Sequence, residues 1–129
     1  MKRVDVNTLK VGDKVWYTLY PEYGWHTQFR YPLLKEYTVM RITPKRTKIV
    51  LDEGFEITKD MFFRLIVPDE EDFEKSKVAR AFNAVRRLSD KFRVHARRTG
   101  FSLASLSDGD LVELSDLLSR LWNTYCKED

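Results

Sequence analysis

Side chains able to act as nucleophiles, bases or metal ligands are few and scattered in this 129-residue chain: two histidines, His26 and His95, and one cysteine, Cys126. Nucleophilic chemistry needs a nucleophile and a base within hydrogen-bond reach, and no spacing here pairs these three. His95 falls at the margin of an apolar helix face, and Cys126 reads as a small apolar filler near the end of a helix. The run Asp69-Glu70-Glu71-Asp72 has the oxygens for a divalent cation, yet consecutive carboxylates at a helix start are accounted for by the helix dipole. The 5 glycines are scattered singly, so no glycine-rich loop cradles a phosphate. The expectation is a protein with no catalytic residues, no metal and no cofactor. An enzyme built on dispersed carboxylates is the weakest reading.

Arginine and lysine make the stronger pattern. The formal net charge is only +3, but residues 77–98 carry 8 Lys/Arg against 1 Asp/Glu, while residues 69–76 carry 1 against 5 and residues 99–129 carry 2 against 6. Wound at 100° per residue, Arg80, Arg87, Lys91 and Arg98 fall within about 40° of one another, and Arg86, Arg93 and Arg97 form a second row on one flank. Two basic rows on one helix suit a phosphate backbone, because each neutralised phosphate releases counterions and adds sequence-independent affinity. The competing readings are a solvated face paired with Glu113, Asp116 and the acidic first turn, and docking onto an acidic protein.

Aromatic residues are concentrated earlier: Trp16, Tyr17, Tyr20, Tyr23, Trp25, Phe29, Tyr31 and Tyr37. Exposed rings stack on bases or enclose cations, and Arg30 and Lys35 nearby suit a nucleic-acid strand. Alternation along a strand turns Trp16 away from Tyr17, so only part of the cluster shares a surface. Trp16 and Tyr37 are expected in the core, and Tyr23, Trp25 and Tyr31 exposed in a turn-rich loop, with Trp25 and Tyr31 as candidate stacking residues. Lys45, Arg46 and Lys48 make a smaller basic tip beside Pro44, a feature that commonly serves solubility alone.

The elements that must position these groups change character midway. Residues 14–20, 36–43, 47–52, 55–57 and 61–66 are short runs rich in β-branched and aromatic residues, and turn residues separate them. Pro44-Lys45-Arg46 joins the second and third runs tightly, so they should pair antiparallel. Five short strands in so few residues lose their exposed edges by curling closed, which predicts a small antiparallel five-stranded β-barrel over residues 1–67. The opening Leu9-Lys10-Val11-Gly12-Asp13-Lys14-Val15-Trp16, with the later hairpin of Val39 to Ile42 and Ile49 to Leu51, resembles the small five-stranded barrels of the Tudor and KOW kind over residues 9–67. Residues 21–35 depart from that compact pattern, as an extended loop or a hairpin of their own.

From Pro68 the period becomes helical. Ala81, Phe82, Val85, Leu88, Phe92 and Ala96 fall on one face, and Gly100 follows Arg97-Arg98-Thr99 as a helix terminator. Ser107 with Asp110 is a capping-box signature opening a second helix, whose stripe is Leu111, Leu114, Leu117, Leu118, Leu121, Trp122 and Tyr125. Residues 68–129 are thus expected to form an antiparallel two-helix hairpin packed on the barrel, an α+β protein in all. Should one side of the last stripe stay uncovered, a protein partner or a homodimer through residues 111–125 is required.

No apolar run approaches the roughly 18 residues that span a bilayer, and no signal-peptide core follows Met1-Lys2-Arg3. A single cysteine fits a reducing, cytoplasmic location. The leading expectation is a nucleic-acid-associated binding protein, contacting DNA or RNA through the basic helix and an aromatic and basic barrel edge, without sequence specificity and without a membrane. The alternative is a protein-interaction module or inhibitor that binds an acidic partner protein, in the style of small, cofactor-free phage regulators of host machinery or defence.

Overall fold

The computed structural model describes residues 1–100 and 102–126. Six strands, β1 (Lys2–Arg3), β2 (Lys14–Leu19), β3 (Leu33–Ile42), β4 (Lys48–Leu51), β5 (Glu56–Thr58) and β6 (Leu65–Val67), form one sheet of order β1-β6-β2-β3-β4-β5. Every pairing is antiparallel. Two helices follow, α1 (Glu70–Thr99) and α2 (Asp108–Leu121), and a π-helical turn occupies Trp122–Cys126. The α+β class is as the sequence implies. The sheet has six strands where five were expected, and it does not close, because β1 and β5 end the order without pairing to each other.

The core follows strand alternation. Val15 and Tyr17 on β2, Tyr37 and Val39 on β3, Ile49 and Leu51 on β4, Ile57 on β5 and Leu65 on β6 are buried together with Leu9. Val15 stands opposite Tyr37 in the β2–β3 register, so the largest strand pair feeds one face. Met61 and Phe62 pack on this core from 3-10 turns over Lys59–Arg64, not from a strand. An apolar run without alternation fits either geometry, and here the strand begins only at Leu65.

Residues 21–29 form a small excursion closed by a Glu22–Gln28 bridge, with the Tyr23 N–H donating to the Thr27 carbonyl at 2.8 Å and Phe29 N–H to Pro21 at 2.6 Å. The long insertion is therefore a hairpin at its start, and its end, from Leu33, already belongs to β3.

Reciprocal capping starts α1: the Asp72 N–H donates to Asp69 Oδ1 at 2.8 Å, and the Asp69 N–H donates to Asp72 Oδ2 at 3.1 Å. Each carboxylate satisfies one of the donors that a helix start leaves unpaired. Gly100, at φ +69°, ends the helix, its N–H reaching the Ala96 carbonyl at 3.0 Å. Ser107 caps α2 by accepting the Asp110 N–H at 3.2 Å.

The chain divides into two compact units, Met1–Arg86 and Arg87–Asp129. The division falls inside α1 rather than at residues 67–68, because the first half of α1 packs on the sheet. Phe73 meets Trp16 edge-on at 5.0 Å, Ser76 and Ala79 are fully buried, and Phe82 stacks on Phe29. These docking residues correct the expected interface. The first unit covers the side of α1 bearing Asp72, Ser76 and Ala79, and of the apolar stripe only Phe82 is half covered, while Ala81 and Val85 stay exposed. Small side chains win because they let the helix approach closely enough for the Ser76 hydroxyl to accept the Leu34 N–H at 3.1 Å.

Candidate nucleic-acid interface

In the first unit, the side chains singled out for nucleic-acid contact have unequal freedom. Trp25 sits at the tip of the excursion, 88% exposed, with the His26 ring beside it at 4.7 Å. Tyr31 is half-buried, with Arg30 5.1 Å and Lys75 5.6 Å from its ring centre. Lys35 is engaged too: its ammonium donates to Glu53 at 2.9 Å and lies 5.0 Å from the Tyr37 ring. The Glu53 hydrogen bond first, then Tyr37, raises the Lys35 pKa above the ordinary lysine value.

The basic tip beside Pro44 is mostly committed to structure. Arg46 has left-handed backbone, φ +54°, which a residue with a Cβ adopts only when its surroundings hold it there. Its guanidinium supplies the hold by donating to the Val6 and Leu9 carbonyls at 2.8 and 3.0 Å. Lys48 pairs with Glu56 at 3.1 Å, which leaves Lys45 as the exposed cation of the three. On the first half of α1, Arg80 is exposed, and Arg86 donates to the Glu22 carbonyl and lies 5.6 Å from the Phe82 ring centre.

The second unit carries the densest cationic surface. Arg87, Lys91, Arg93, Arg97 and Arg98 are all exposed on the second half of α1. Arg87, Lys91 and Arg98 line one shallow depression together with Asp90, Val94, His95 and Thr99. At 1.5 Å rise per residue the three cations cover about 16 Å of the helix. Asp90 is drawn off by Arg93, at 3.3 Å. Among the described residues no ion pair reaches Arg87, Lys91 or Arg98, and none joins α1 to Glu113 or Asp116. The two lysines at the start of α1 pair locally, Lys75 with Glu71 and Lys77 with Glu74. The carboxylates proposed as intramolecular partners of the basic row are therefore not its partners. Sequence spacing found the three cations; it missed Val94 and Thr99, whose i+3 and i+4 offsets from Lys91 and His95 place them in the same depression.

The same unit has no buried residue among those described; only Ala96, Leu106 and Leu114 are half-buried. Leu111, Leu117, Leu118, Leu121, Trp122 and Tyr125 are exposed, as are Leu88 and Phe92.

Among the described residues no cluster of three His, Cys, Asp or Glu side chains could hold a metal ion, and no helix is long and apolar enough to cross a membrane. Cys126 is exposed rather than the apolar filler expected. No family model matches the chain, and neither a curated protein nor a solved structure matches it significantly.

Proposed function

We propose that this protein binds DNA or RNA through the phosphate backbone, using Arg87, Lys91 and Arg98 as the central contacts and Arg93 and Arg97 on the flank. One observation carries the reading: three exposed cations share one surface depression and have no carboxylate partner among the described residues. Unpaired cations held on a helix present fixed positive charge at a spacing that a polyanion can match, and counterion release supplies the affinity. Contacts of this kind carry no base information, so binding is independent of sequence. Trp25, in the other unit, is an exposed ring suited to stack on a base. Arg80, Arg86 and Lys45 are auxiliary cations in this reading, while Tyr31, Arg46 and Lys48 serve the fold. A cytoplasmic setting belongs to the same proposal and rests on the single cysteine.

Titration of fluorescent single- and double-stranded DNA and RNA with the purified protein tests it, beside a variant carrying Arg87→Glu, Lys91→Glu and Arg98→Glu. Binding that disappears in the variant supports the row as the contact surface. A folded wild-type protein that binds none of these at low salt refutes it.

The second reading is a protein-interaction module or inhibitor, as a phage-type regulator would be. It is favoured by the exposed leucine-rich face of the second unit, since apolar surface of that extent marks a protein contact.

A further inference from the structure

The second unit has the shape of half an interface. An apolar groove of about 660 Å³ runs between the end of α1 and the segment leading into α2, lined by Phe92, Ala96, Leu103, Leu106 and Leu114, with Arg93 and Asp110 also on its walls. Beyond it, on the turn that follows α2, project Trp122, 63% exposed, and Tyr125, 78% exposed. Trp122 lies roughly 12 Å further along the chain axis than Leu114, so it extends away from the groove wall that its own helix supplies. Groove and projecting rings thus occur on one unit, and a patch that carries both is complementary to a copy of itself related by a twofold axis.

Charge points the same way. In the second unit α1 carries Arg87, Lys91, Arg93, Arg97 and Arg98 against Asp90, whereas α2 carries Asp108, Asp110, Glu113 and Asp116 against Arg120. Twofold association sets the Arg93 and Arg97 flank of one copy's α1 beside the net-acidic α2 of the other, twice, while Arg87, Lys91 and Arg98 lie on the far side of α1. A helical unit of this size with no buried side chain among its described residues lacks the core it needs to hold its form, and oligomerisation is the ordinary remedy.

We infer that two copies of the chain associate through their second units, the Leu118, Trp122 and Tyr125 face of each α2 and its following turn entering the groove beside Phe92 and Ala96 of the other. On α1 this interface is centred about 140° around the helix from Arg87, Lys91 and Arg98, so dimerisation leaves that row open. The inference therefore stands apart from the nucleic-acid proposal and is measured without any nucleic acid.

The test is the mass of the full chain in solution across a concentration series, by sedimentation or light scattering. The wild type is compared with Trp122→Asp and Phe92→Asp, one change on each side of the proposed contact. Both residues are exposed, so the sheet unit should fold in both variants, as its near-ultraviolet circular dichroism will show. A two-chain mass for the wild type, with each variant weakened at least about tenfold as expected of a central aromatic contact, supports the inference. A wild-type monomer at every concentration overturns it, including one in which α2 folds back on its own α1. A mass other than two chains, or a dimer indifferent to both variants, also overturns it.

Discussion

Phe82 stacks on Phe29 with ring centres 4.3 Å apart and planes 15° from parallel, and this pairing takes from the apolar stripe of α1 the one member that the sheet unit covers. Phe29 is itself buried, and Tyr23 meets Phe82 at 5.3 Å. The small hairpin at residues 21–29 is therefore a clamp for α1 as well as the support of Trp25. Phe29→Ala should cost about 3 kcal/mol of stability, from lost burial plus the void left behind. In a double-mutant cycle with Phe82→Leu, a coupling of about 1 kcal/mol is expected in urea unfolding. Strictly additive effects would mean that the stacking contributes nothing.

Ser76 anchors the same helix by a polar contact that substitution isolates. Ser76→Ala leaves the Leu34 N–H at the start of β3 without its acceptor, beside a fully buried position, at an expected cost of about 1–3 kcal/mol. Amide hydrogen exchange at Leu34 should accelerate beyond that of its β3 neighbours. Uniform acceleration across the sheet would assign the loss to packing alone.

Arg46 offers the cleanest separation of structure from binding. Arg46→Ala removes two hydrogen bonds from a charged donor and leaves a strained backbone without support, so a loss of about 2–3 kcal/mol in thermal or urea unfolding is expected. Nucleic-acid affinity of the folded variant should change little. Lys45→Ala should have the opposite profile, with stability unchanged within about 0.5 kcal/mol.

Acid should loosen the start of α1. The hydrogen bond from the Asp72 N–H, first, holds the Asp69 carboxyl below the usual aspartate range, opposed by partial desolvation. A depressed folded pKa stabilises the fold above the unfolded value. That contribution fades as pH falls through the usual aspartate range and is gone below the depressed value. In an acid titration followed by far-ultraviolet circular dichroism, Asp69→Asn, which still caps a helix but does not titrate, should show a shallower loss of stability over that window. Identical pH profiles would remove Asp69 from the account.

Much of this architecture could be read from local chemistry. Strands β2, β3 and β4 follow from β-branched and aromatic alternation, the Pro44 turn from its residues, and both helices from the acidic run at residues 69–72, the Ser107 cap and the Gly100 terminator. The terminal strand Lys2–Arg3 was invisible, because two residues carry no period, and it makes the sixth strand; the sheet is open because neither β1 nor β6 pairs with β5. The face of α1 was misread for another reason. Hydrophobic periodicity marks the stripe through Val85 and Phe92, but the sheet takes the side with Ser76 and Ala79, where close approach and a hydrogen bond outweigh apolar area. In the basic row, spacing placed Arg87, Lys91 and Arg98 together, because helical geometry alone decides it. What spacing could not show is whether carboxylates distant in sequence neutralise them, and that depended on where α2 holds Glu113 and Asp116.

The salt dependence of nucleic-acid binding bears most directly on the central claim. If Arg87, Lys91 and Arg98 each neutralise one phosphate, a plot of log affinity against log salt for duplex DNA should be steep in the wild type. Neutralising any one of them to Gln should reduce its slope by about 0.9. The Lys45→Gln change should leave the slope nearly as it was. A slope near zero, or one that the three α1 substitutions leave untouched, would contradict the assignment of this row as the phosphate contact.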